Sequence, residues 1–123
     1  MIEQLDISTK ERIFVQAYFD AIDFTDCGDT DQPEHGEDFD ISFERESLID
    51  CLAFYSRIEC FISDDQIVQS GHDFWFTRQG HGVGFWDRPE IYGEHLAKKF
   101  TTQAESFGEA YPVFENYCPT MEA

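Results

Sequence analysis

Ser63-Asp64-Asp65-Gln66-Ile67-Val68-Gln69-Ser70-Gly71-His72-Asp73-Phe74-Trp75-Phe76-Thr77-Arg78-Gln79-Gly80-His81-Gly82-Val83-Gly84-Phe85-Trp86-Asp87-Arg88 folds as a helix or as a hairpin, and the choice sets the architecture. Ser63 and Gln66 form a capping box, with Asp64 and Asp65 in the favourable first turn. Ile67, Val68, Gly71, Phe74, Trp75 and Arg78 recur at helical spacing, and Gly80 and Gly82 supply stop signals. That pattern predicts a helix over Asp64–Gln79. The rival is a hairpin, His72–Arg78 turning through Gln79–Gly82 into Val83–Arg88, which suits Phe and Trp as well. With the helix preferred, Val83-Gly84-Phe85-Trp86 reads as a short buried strand.

Upstream, Ser8-Thr9-Lys10-Glu11 is a second capping box, and Phe14, Ala17, Tyr18, Ala21 and Ile22 predict a first helix ending near Ile22. Thr25 to Asp40 holds Gly28, Pro33 and Gly36 among acids and reads as a long loop. A second helix is predicted from Ser42 or Phe43 to Ile62, with Leu48, Cys51, Leu52, Tyr55, Ile58 and Ile62 on one stripe. Downstream, Pro89 opens a fourth helix whose stripe is Tyr92, Leu96, Phe100, Gln103 and Phe107, closed by Gly108. Ala110–Tyr117 reads as a strand, confined by Pro112 to an edge. The expectation is one small α+β domain over residues 1–123. It is mostly helical, with about four helices and a minimal two- or three-stranded sheet.

Gly71 to Arg88 carries both tryptophans, four of the eight glycines and two of the four histidines. Here the chain resembles a group of small phage-encoded proteins with a GHDFWxTRxGHGxGFWDR signature. The resemblance spans roughly Ser63 to Arg88 and implies a phage or prophage origin; it implies no particular chemistry. A functional reading of the motif makes His72, Asp73, His81 and Asp87 a metal or acid–base cluster at the heart of a small accessory protein. Against it, neighbouring His72 and Asp73 point in different directions on a helix. The preferred reading is a scaffold. Phe74, Trp75, Phe85 and Trp86 form core, Asp73, Asp87, Arg78 and Arg88 make ion pairs or caps, Thr77 sits among them, and His81 lies in a Gly-rich turn. No nucleophile elbow, P-loop or dinucleotide fingerprint is present, so no catalysis and no cofactor is expected.

The 123 residues include 26 Asp and Glu against eight Lys and Arg, a formal net charge of -18. With 41% hydrophobic and 16% aromatic residues, the chain has material for a core that buries roughly 65% of its unfolded surface. So few cations disfavour direct binding to nucleic acid or to an anionic membrane. No apolar run is long enough for a membrane span, and Met1–Asp6 lacks the basic and apolar parts of a signal peptide; both predict the cytoplasm. Cys27, Cys51, Cys60 and Cys118 fit no zinc spacing and read as free thiols, Cys51 and Cys60 in the core.

From Ile13 to Glu44 the chain carries ten carboxylates and no Lys or Arg. They are Asp20, Asp23, Asp26, Asp29, Asp31, Glu34, Glu37, Asp38, Asp40 and Glu44. Asp20 and Asp23 fall at the C-terminal end of the first helix, where the macrodipole opposes them. Three readings stand side by side. The run is a solvated surface; or it binds calcium through Asp23, Asp26, Asp29 and Asp31, although the spacing misses the EF-hand. In the third, it mimics the charge of nucleic acid, which in duplex DNA falls about every 1.7 Å of axis. Phage origin favours the third: an acidic inhibitor of a basic host protein that itself binds DNA or RNA, such as a restriction, recombination or CRISPR component. The ten acids would make the contact, and the oligomeric state is left open, a dimer included.

Overall fold

Ser8 starts the first helix by local chemistry alone. Its hydroxyl accepts from the Glu11 amide at 3.1 Å, and the Glu11 carboxylate accepts from the Ser8 amide at 2.8 Å. Two amides that a helix start leaves without partners are thereby satisfied. Helix α1 (Thr9–Ile22) then buries Phe14, Val15, Ala17, Tyr18, Phe19, Ala21 and Ile22. The computed structural model describes residues 7–23, 40–80 and 83–111.

Asp40 caps helix α2 (Ile41–Ile58), its carboxylate accepting from the Ser42 amide at 3.0 Å. The predicted continuation to Ile62 tightens into a 3₁₀ turn at Glu59–Phe61. Ser63 and Gln66 form their box around a further 3₁₀ turn, Asp64–Gln66, which leads into α3 (Ile67–Arg78). The backbone is therefore helical through Gly71–Arg78, and the hairpin alternative falls. α3 lies closely against α1. A Cβ on Gly71 would sit 2.6 Å from the Phe14 carbonyl oxygen and 2.8 Å from the Ala17 Cβ.

The α+β expectation is corrected: the described residues form an all-helical domain with no strand. Phe85–Asp87, predicted within a strand or its flank, is one 3₁₀ turn, and Val83 before it is exposed. Gly84, extended at φ 155° and ψ -164°, passes so close to Thr77 that a Cβ there would collide with its hydroxyl, and the Phe85 amide donates to that hydroxyl at 3.0 Å. A side-chain oxygen thus takes an amide that a sheet would have claimed. The same substitution occurs at Ala110. Its amide donates to the Gln79 side-chain oxygen at 2.7 Å, and its carbonyl accepts from the Gln79 amide at 2.8 Å. The rest of the strand predicted to Tyr117 lies outside the described residues. The fourth helix divides, because Gly93 at φ 88° separates α4 (Pro89–Tyr92) from α5 (Glu94–Glu105).

The core is aromatic. Phe54 and Phe74 stack with centroids 4.2 Å apart, and Tyr18 meets Trp75 edge-on at 5.5 Å. Phe85 links this cluster to Tyr92 and Phe100 at 5.2 and 5.4 Å. Cys51 is buried among these rings, whereas Cys60, also expected inside, is exposed. Among the described residues no helix is long and apolar enough to cross a membrane.

Candidate functional site

Helix α3 carries the polar half of the motif inward. Asp73 is fully buried, and three side chains donate to it. The Arg88 Nε donates to both carboxylate oxygens at 2.9 and 3.0 Å, the Tyr92 hydroxyl donates at 2.9 Å, and the Gln69 amide at 3.1 Å. Burial pushes the Asp73 carboxyl above the usual carboxylate range even against these donors. Burial opposes the Arg88 charge too, but its bond to Asp73 prevails and holds the guanidinium protonated. Burial first, then the Asp73 charge, raises the Tyr92 hydroxyl far above its ordinary value. Such a carboxylate has no acceptor position turned to solvent. It braces the turn before α4 against α3.

Arg78 does the same at the other end of α3. Its Nε donates to the Gly108 carbonyl at 2.7 Å, Nη1 to the Tyr18 hydroxyl at 3.0 Å, and Nη2 to the Phe107 carbonyl at 3.2 Å. Nη1 also lies 3.1 Å from the Asp50 carboxylate, and the guanidinium sits 5.3 Å from the Phe74 ring centroid. One fork therefore ties α1, α2 and the segment after α5 to α3.

The His/Asp cluster does not assemble around these groups. Asp73 is enclosed, Asp87 is exposed, His72 is half-buried beside Phe76, and His81 lies outside the described residues. Among the described residues no three His, Cys, Asp or Glu side chains converge on a metal position. Phe74, Trp75 and Phe85 are core and Thr77 is buried, but Trp86, expected in the core, is 50% exposed. The 3₁₀ turn places Phe85 inward and its neighbour outward.

Four of the ten run acids are described, two at the end of α1 and two at the start of α2. Phe19 in the last turn of α1 meets Phe43 in the first turn of α2, with ring centroids 6.5 Å apart. The contact joins the last turn of α1, which carries Asp20 and is capped by Asp23, to the first turn of α2, which is capped by Asp40 and carries Glu44. Asp20 accepts from the Gln16 amide at 3.0 Å. Asp26, Asp29, Asp31, Glu34, Glu37 and Asp38 lie outside the described residues. Beside Phe43 opens a groove of about 250 Å³ whose lining includes Phe43, Tyr111, Glu46, Asp50, Glu109 and Arg78. The sequence reading missed Glu46, Asp50, Glu109 and Tyr111. Nothing local marks them, because the groove exists only once Arg78 draws the segment after α5 toward α2.

No protein-family model, no curated protein and no solved structure matches this chain.

Proposed function

We propose that this chain is an acidic binding protein of phage origin that occupies the basic, nucleic-acid-binding surface of a host protein in the host cytoplasm. It acts by binding and not by catalysis. The observation that carries the reading is the cation-free run of ten carboxylates from Ile13 to Glu44, which starts on α1 and ends on α2, two helices joined by the Phe19–Phe43 contact. Like charges this dense along the chain repel, and a cationic partner removes that cost. The placement of the cations supports the reading further. Of the eight Lys and Arg, Arg78 is buried beside Asp50 and Arg88 is turned onto Asp73, so both are engaged within the fold by acids outside the run. A metal-centred accessory role draws no support from Asp73, whose oxygens already serve Arg88, Tyr92 and Gln69.

The test is capture of partners from host lysate at low and at high salt, repeated with the triple variant Asp26→Lys, Asp29→Lys, Asp31→Lys. The reading expects a nucleic-acid-binding protein that is retained at low salt, released by salt or by competing DNA, and lost in the triple variant. Unchanged capture by the folded triple variant reduces the run to a solvated surface.

A further inference from the structure

We infer that the groove between the first half of α2 and the segment after α5 receives one guanidinium side chain from that basic partner. The inference rests on the proposed function and specifies its point of contact. At about 250 Å³ the groove is smaller than the roughly 300–1,000 Å³ typical of pockets for whole small molecules, and it suits a single long side chain.

Its chemistry is that of a cation receptor. Among the described residues of the lining, Glu46, Asp50 and Glu109 bring three carboxylates against the one guanidinium of Arg78. Arg78 does not fill the groove, and it does not turn it into an anion site. Its donors are directed to the Tyr18 hydroxyl, the Asp50 carboxylate and the carbonyls of Phe107 and Gly108. Asp50 keeps acceptor capacity: a carboxylate has about four lone-pair sites, and its side chain is still 32% exposed beside Arg78. Tyr111 is 72% exposed, and its hydroxyl donates to Glu109 at 3.2 Å, which sets an aromatic face next to a carboxylate. Phe43, itself buried against Phe19, adds apolar lining. A guanidinium fits this pairing better than an ammonium. It is planar, stacks on a ring, is more weakly hydrated and meets a carboxylate with two parallel donors. Phe43 also touches Phe19, so the groove adjoins the junction of α1 with the start of α2.

The experiment titrates the isotope-labelled full chain with the blocked peptide acetyl-Gly-Arg-Gly-amide, followed by amide chemical shifts. A control peptide carries citrulline, the neutral isostere, in place of Arg. Saturable shifts centred on Glu46, Ser47, Asp50 and Tyr111 are expected with Arg and not with citrulline. The variants Glu46→Gln with Glu109→Gln, and Tyr111→Ala, change exposed groups and preserve the fold. The double variant should weaken the peptide about tenfold, and Tyr111→Ala severalfold. Shifts scattered over the surface, an equal response to citrulline, or an unchanged Kd in the double variant overturns the inference. No host protein enters this titration, so its failure is separate from failure of the lysate capture. A partner captured equally well by the double variant sinks the groove and leaves the acidic inhibitor standing.

Discussion

Asp73 holds its place only while Arg88 faces it. An ionised carboxylate in an apolar surround costs several kcal/mol unless donors and a counter-charge meet it. Replacing Arg88 by Leu removes the counter-charge and leaves the carboxylate among rings. We expect Arg88→Leu to cost about 2–4 kcal/mol at neutral pH in urea denaturation, the lower end reflecting a partly exposed guanidinium. The pH dependence has a definite sign. Burial already raises the folded Asp73 carboxyl above its unfolded value, and losing Arg88 raises it further. Its favourable contribution is then full below the unfolded pKa and is lost as pH rises through the folded pKa. The deficit of Arg88→Leu should therefore shrink on acidification, and a deficit independent of pH between mildly acidic and neutral solution contradicts this account. Sequence alone marked Asp73 and Arg88 as charges for pairs or caps, and Gln69 stands one helical turn before Asp73. Tyr92 could not be found that way, because its bond to Asp73 depends on where the chain returns after Gly84.

Between α1 and α3 the absence of a side chain is what permits contact. Gly71→Ala places a methyl 2.6 Å from the Phe14 carbonyl oxygen, and the obstacle is backbone that has no rotamer to yield. The helices must separate, at about 1–3 kcal/mol, the usual cost of overpacking. A thermal melt reads this, and a variant as stable as the parent would show the crossing to be looser than described. Helix starts were the most legible features, since both capping boxes are short-range chemistry spelled out in consecutive residues. Helix interruptions were less so. The stripe from Tyr92 to Phe107 runs through Gly93 without a change of period, yet φ 88° there ends one helix and begins another. The sheet was misread for a related reason. Val83–Trp86 has strand composition, but the Thr77 hydroxyl takes the Phe85 amide and the Gln79 side chain takes both backbone groups of Ala110. Side chains met the hydrogen-bonding needs that composition assigned to neighbouring strands.

Across the whole molecule the dominant quantity is charge. With a formal net charge of -18, self-repulsion weakens the compact state relative to an expanded chain. Salt screens that repulsion over a Debye length of about 10 Å at 0.1 M, so the urea midpoint should climb as ionic strength rises from low to physiological. A midpoint that falls over this range would mean that attractive pairs such as Lys10–Asp64 outweigh the repulsion. The same field acts on small ions that approach the surface, and here the two tryptophans become useful. Trp75 is sealed in the core and Trp86 stands half in solvent, so one indole emits from an apolar environment and the other from water. Caesium, drawn toward a negative surface, should quench the red-shifted emission of Trp86, while iodide is held away and Trp75 is silent to both. The molecule thus carries two optical reporters on one motif. One brightens or dims with the integrity of the core, and the other senses which ions come near.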